Sequence, residues 1–158
     1  MFAAPKLVPG RGLRLAGHRR EHPESKALAL VPHQWSELVG MSPLPGQSSE
    51  IGYGVRNHGD VAPGCIAYTA AVEVEDFDAL APDIERIVVP PARYAVFDSF
   101  DHVTTMRRAW PVLIAQWLPQ SPFLPATTPC FERYDESFDP IMGRGGMAIW
   151  LPVVGGVG

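Results

Sequence analysis

Glu132 stands in Pro129-Cys-Phe-Glu-Arg-Tyr-Asp135, among residues that favour extended chain, and the aliphatic stretch Met147-Ala-Ile-Trp-Leu-Pro-Val153 follows it. If both stretches are strands, period-two alternation puts Cys130, Glu132 and Tyr134 on one face and Phe131 and Arg133 on the other. Met147, Ile149, Leu151 and Val153 then make a wholly aliphatic face that belongs to the core. Ala148 and Trp150 lie opposite, on a face with room for Glu132 and Tyr134 as well. An acid, a phenol and an indole on one surface suit an organic cation, because a carboxylate and the faces of aromatic rings both attract positive charge. The competing reading is an acid on an edge strand in contact with solvent, and alternation alone does not choose between the two.

The rest of the chain sets the frame for that acid. Its 158 residues fit one domain, or two small halves sharing a core. Hydrophobic residues make up 46% and charged residues 19%, the balance of an ordinary globular protein. A net charge of -4 argues against a nucleic-acid surface and weakly favours cationic ligands. Cys65 and Cys130 form no CxxC pair and have no histidines crowded around them, so neither a disulfide framework nor a metal site is expected. No cofactor motif is present. The start of the chain lacks a signal-peptide pattern and no apolar run reaches the length of a membrane span, so a cytoplasmic protein without membrane partners is expected.

Periodicity supplies the elements. A strand is expected over Leu7 to Gly17, broken at Pro9-Gly10, with the charged run His18 to His22 leading into a loop at Pro23. Leu28, Val31, Trp35, Leu38 and Val39 fall on one helical stripe between Ser25 and Met41, with the regular helix starting near Pro32. Ser42 to Ser49 is loop by composition. Strands follow over Glu50 to Arg56 and Cys65 to Glu75, separated by the turn-rich Asn57-His-Gly-Asp60 and Pro63-Gly64. A long strand from Glu85 to Phe97 is interrupted at Pro90-Pro91, where ladder donors are missing. Met106, Trp110, Leu113, Ile114 and Trp117 mark a second helix from Val103 to Leu118, kinked at Pro111 because the bond to residue 107 is lost.

The order is strand, helix, strand, strand, twice over, an α+β arrangement. Val8-Pro9 and Val89-Pro90 are 81 residues apart, as are Tyr53 and Tyr134, Gly64 and Gly145, and Ala67 and Ala148. Trp35 and Trp110 match at 75, with unequal loops absorbing the difference. The chain therefore reads as one domain over 1–158 made of two similar halves, about 5–76 and 84–154, with a ligand cleft expected where antiparallel half-sheets meet. Trp35, Trp110 and Trp117 read as core. His18, His22, His33, His58 and His102 read as surface residues in loops or at helix ends, which speaks against haem ligation. Gly143 to Gly146 joins two strands, where glycine supplies positive φ, and it lacks the strand-to-helix setting of a phosphate loop.

In this order and spacing, several fragments resemble the GyrI-like, or AraC-type, effector-binding domain family. They are Val89 to Phe97, Gln116 to Pro119, Phe131 to Pro140 and Ile149 to Val153, with Tyr53-Gly-Val55 and Tyr68 through Val74 in the first half. The resemblance covers nearly the whole chain. It implies a duplicated strand-helix-strand-strand fold with an antiparallel sheet, two helices and a central cleft. It also implies binding of bulky aromatic, often cationic, compounds against a carboxylate, as in the sensor halves of multidrug-responsive transcription regulators. Glu132 matches the Glu of the Phe-Glu-x-Tyr motif, and Tyr134, Trp150, Tyr53 and Tyr68 are the aromatic candidates beside it. No helix-turn-helix segment is seen, so the chain looks like a stand-alone member that does not bind nucleic acid directly. Many relatives carry a second Glu where this chain has Ala148, a departure that favours monocations or neutral aromatics over dications. Two other roles follow from relatives: hydrolysis of strained electrophilic rings, with Glu132 activating water and Tyr68 or another cleft tyrosine polarising the leaving group, and inhibition of a topoisomerase through a protein interface.

Overall fold

The structure is a computed structural model that describes residues 4–57 and 61–156. His58 and the middle of the first expected turn lie outside the described residues. The elements in order are β1 (Lys6–Gly10), β2 (Leu13–Pro23), a 3-10 turn (Glu24–Lys26), α1 (Ala27–Met41), β3 (Gln47–Asn57), β4 (Cys65–Val74), β5 (Glu85–Val89) and β6 (Ala92–Ser99). A broken helical segment comes next: α2 (Val103–Arg108), α3 (Trp110–Val112), a π-helical turn (Leu113–Trp117) and α4 (Leu118–Gln120). It is followed by β7 (Phe123–Pro125), β8 (Cys130–Tyr134) and β9 (Met147–Gly155). The expected α+β class and the repeated strand-helix-strand-strand order are both present.

The chain forms two compact units, and they are not cut where the sequence halves meet. A continuous unit runs from Gly12 to Val89, and a second is assembled from the chain up to Arg11 and from Pro90 onward. Each half therefore lends its first strand to the other's unit. β1 pairs with β6, and β5 pairs with β2. Pro90 and Pro91 explain the second exchange: with no N–H to give, they interrupt the ladder and leave β5 and β6 as separate strands instead of one bulged strand.

In the continuous unit the strands lie in the order β3-β4-β2-β5, all antiparallel. α1 covers one face, burying Val31 and Leu38 against Ala16, Tyr68, Ala70, Val72 and Val74. Two expectations are corrected here. The run His18 to His22 is strand and not a lead into a loop, because β4 pairs with it to the end and α1 answers its polar side chains. His22 Nε2 lies 2.7 Å from Gln34 Oε1, and His18 Nε2 lies 2.9 Å from a Glu37 carboxylate oxygen. α1 also begins at Ala27, before Pro32, whose exposed ring faces outward while Val31 and Gln34 on either side are buried. Gln34, a polar residue in the core, donates through Nε2 to the backbone oxygens of His18 and Tyr68, which fixes Oε1 as the acceptor for His22.

In the second unit the order is β1-β6-β9-β8, and β7 adds to the far end of β9. The broken helix covers the face carrying Phe97, Met147, Ile149 and Leu151, and Met106, Trp110 and Leu113 are buried beneath it. Trp117 meets Phe97 edge-on at 4.9 Å and stacks on Phe123 at 6.3 Å. The kink expected from Pro111 is realised as the break at Ala109 and the wide turn over Leu113–Trp117, both ways of absorbing a missing helical bond. Ile114, on the expected stripe, is exposed, because the π turn rotates it off the buried line.

Candidate functional site

Register decides which residues can act together. Directly opposed residues of an antiparallel pair share a face. β8 is set against β9 with Glu132 opposite Ile149, Tyr134 opposite Met147, Phe131 opposite Trp150 and Arg133 opposite Ala148. Glu132 and Tyr134 therefore lie on the helix-covered face with the aliphatic residues. Trp150 and Ala148 lie on the other. This corrects the expectation that Trp150 shares a surface with Glu132, and it removes Ala148 from the neighbourhood of the acid. The aliphatic face is nonetheless core as expected, with Met147, Ile149, Leu151 and Val153 all buried.

Glu132 has no exposed surface at all, which excludes the solvent-edge reading. A carboxylate taken out of water needs its charge answered within the protein. Three donors do so. The Tyr134 hydroxyl donates to Oε1 at 2.7 Å, and the Trp110 indole Nε1–H donates to Oε2 at 2.8 Å. Arg107 Nε lies 3.5 Å from Oε1, and Arg107 also donates through Nη2 to the Tyr134 hydroxyl at 3.1 Å. The guanidinium sits 5.9 Å from the centre of the Tyr134 ring, and Phe138 meets the same ring at 4.8 Å. Arg107, with 8% of its surface exposed, is the most accessible of the four, which are all buried.

Arg107 and Trp110 belong to α2 and α3, three residues apart, and the chain between them is the break at Ala109. That spacing puts them on one side of a helix. His102 starts the helix by accepting from Thr104 N at 3.2 Å, and its own position is held by Gly143, where a side chain would collide with the imidazole. Gly143 carries φ +66, so glycine serves both the turn and the close approach.

On the opposite face of the same sheet a second aromatic group forms. The Phe131 ring stacks on Trp150 at 5.7 Å, and Tyr94 meets both edge-on, at 5.5 and 5.2 Å. The Arg133 guanidinium lies 5.9 Å from the Trp150 ring centre. Tyr53 and Tyr68 belong to the continuous unit, where they point to opposite faces. Tyr68 packs beneath α1, and its hydroxyl accepts from Trp35 Nε1 at 2.9 Å. Trp35 and Trp110 are thus matched in role as well as position: each sends an indole N–H from the helix to a polar group on the sheet below. Tyr53 and Tyr134 are not so matched, because Tyr134 faces its helix and Tyr53 faces away from α1. A groove of about 520 Å³ lined by Arg93, Pro125, Thr128 and Val153 lies elsewhere on the second unit and includes none of the Glu132 cluster.

Strand patterning points to Glu132 and Tyr134 but not to Arg107. Trp110 belongs to the core, as its helical stripe predicts, and in addition bonds to the acid, which the stripe does not show. The available signal was a cation three residues before a tryptophan in a helix facing a strand with a buried acid.

Among the described residues no helix is long and apolar enough to cross a membrane. The model of the GyrI-like family, described as a GyrI-like small molecule binding domain, matches residues 5–154. No curated protein sequence is matched significantly by this chain. Among solved structures, SAV2435 bound to tetraphenylphosphonium is similar at 18% identity and a TM-score of 0.71, over 97% of this chain and 95% of that one. The EcmrR C-terminal domain is similar at 17% identity and a TM-score of 0.69, over 98% and 99% of the two chains. An integron cassette protein from the mobile metagenome of Vibrio cholerae follows at 14% identity and 0.68, over 97% of each.

Proposed function

From the premise that this chain belongs to the GyrI-like small molecule binding domain family, we propose that it binds bulky aromatic compounds, cationic ones included, at the cluster of Glu132, Tyr134, Arg107 and Trp110. The observation that carries the proposal is a fully buried carboxylate ringed by an indole, a phenol and a guanidinium. A purely structural core gains little from such a group, since apolar residues of the same volume commonly serve stability as well or better. The binding of tetraphenylphosphonium by a protein of the same fold supports an aromatic ligand class. The likeness to the C-terminal domain of EcmrR, which also occurs in an EcmrR–DNA complex, supports a role as the ligand-sensing part of transcriptional regulation.

The energetics suit broad recognition. Rings packed against a drug-sized ligand contribute mainly through apolar burial, about 25 cal/mol per Å². A cation over the Tyr134 ring adds about 0.5 to 2 kcal/mol. Few of these contacts are directional, so many flat or propeller-shaped compounds satisfy them. Trp150 faces away from the acid and is not part of the proposed contact set. The hydrolytic alternative draws no support from Tyr68, whose hydroxyl is engaged by Trp35 beneath α1.

Fluorescence titration with rhodamine 6G or ethidium, using the wild type and Glu132→Gln, tests the proposal. Saturable binding that weakens about tenfold or more in Glu132→Gln is expected. Equal affinity for the two proteins would remove Glu132 from the site.

A further inference from the structure

The sheet and helix leave Glu132 already paired with a cation of its own chain. Its Oε1 faces Arg107 Nε, and Arg107 Nη2 reaches the same tyrosine hydroxyl that donates to Oε1. The cluster thus contains one negative and one positive side chain, whereas a carboxylate ringed only by aromatic groups would leave one unit of negative charge for the ligand to neutralise.

We infer that Arg107 is a specificity-determining residue that turns this site from one selecting cations to one selecting neutral aromatic ligands that carry a hydrogen-bond acceptor. The inference rests on the binding reading above and names the charge class within it. A cationic ligand gains contact with Glu132 only by displacing a tethered guanidinium that lies 3.5 Å from the carboxylate. Its own desolvation is then added to the loss of the internal pair, and close like charges within a buried site repel. A neutral ligand leaves the pair intact. Its phosphoryl or carbonyl oxygen meets the guanidinium, a donor of the kind that forms strong, charge-assisted bonds, while the one phenol proton stays with Glu132. Arg107 is suited to this part because it keeps 8% of its surface exposed, whereas the carboxylate it pairs with has none.

Methyltriphenylphosphonium and triphenylphosphine oxide make a matched pair of probes, since they differ only in carrying a methyl group and a positive charge in one case and an acceptor oxygen in the other. Isothermal titration of both against the full chain is the test, in the wild type, Arg107→Met and Arg107→Lys. The wild type is expected to bind the oxide about tenfold or more tightly than the phosphonium. Arg107→Met, which keeps much of the stem but removes the charge, is expected to shift that ratio toward the phosphonium by about tenfold or more, and Arg107→Lys to shift it less. A wild type that prefers the phosphonium overturns the inference while leaving the binding reading intact, and needs no variant to fold. A smaller shift in folded Arg107→Met overturns it as well. If neither probe binds the wild type, the binding reading fails and this inference fails with it.

Discussion

A buried carboxylate is stable only where donors replace the water it has lost, and at Glu132 a phenol, an indole and a guanidinium do so together. The phenol and guanidinium contacts are coupled, since the Tyr134 hydroxyl both donates to Glu132 and accepts from Arg107. Tyr134→Phe keeps the ring against Phe138 but removes this link. Thermal or urea unfolding should show a loss of about 1 to 3 kcal/mol, more than a surface tyrosine would cost. In a double-mutant cycle, Glu132→Gln and Arg107→Met should give clearly non-additive losses, and additive values would mean that the pair is not coupled. Asp135 offers a test by pH. Its carboxylate accepts from the Ser137 hydroxyl at 2.6 Å and from Ser137 N at 2.8 Å, and Arg133 is nearby; these hold its carboxyl below the usual aspartate range. A depressed folded-state value means that the stabilisation is complete above the ordinary aspartate value and is lost as pH falls through the folded one. Melting temperatures of the wild type and Asp135→Asn should therefore differ at neutral pH and converge in acid, and a constant difference would contradict this account. At this scale the sequence was readable for Glu132 and Tyr134, because both lie in one strand at period two. Arg107 was not readable, because its partnership depends on which face of β8 meets the helix, a matter of register between β8 and β9.

At the scale of elements, apolar periodicity revealed both helices and nearly every strand, since each must bury one face. What it did not reveal arises from partners. His18 to His22 looks like a charged run bound for a loop, yet β4 on one side and α1 above hold it as strand. The helix after Val103 is broken as proline demands, but its π turn, and the exposure of Ile114 that follows, depend on how Trp110 and Leu113 fit the sheet below. Close packing at the β2–β4 pair makes a further prediction. A Cβ added at Gly17 would collide with the backbone of Ala70 and Ala71 in β4. Gly17→Ala should destabilise the protein by about 1 to 3 kcal/mol and weaken hydrogen-exchange protection in β2 and β4. Unchanged protection there would mean that the pair takes up the added methyl group without loosening. By contrast, Gly40 on α1 has open space around it, and Gly40→Ala should be neutral or stabilising.

Across the whole molecule the duplication is visible in matched parts. Gly64 and Gly145 both adopt positive φ shortly before equivalent strands, and Trp35 and Trp110 both bond from helix to sheet. Spacing alone could not show that β1 and β5 are exchanged, since a strand's sequence does not name its partner. The exchange predicts that deleting residues through Arg11 strips β6 of one of its two neighbours, and hydrogen exchange should report loss of protection at those amides of 92–96 that bond to β1, while those bonded to β9 keep theirs. Protection retained at the amides that bond to β1 would show that β1 is dispensable to its unit. The four tryptophans, Trp35, Trp110, Trp117 and Trp150, sample different parts of the molecule, and the most direct test of the central claim uses their indole N–H resonances in a nitrogen-15 spectrum during titration with triphenylphosphine oxide. The Trp110 indole donates to Glu132, so its resonance should move to saturation with the binding isotherm. A ligand that saturates the protein while the Trp110 indole stays in place would contradict the assignment of the site to Glu132.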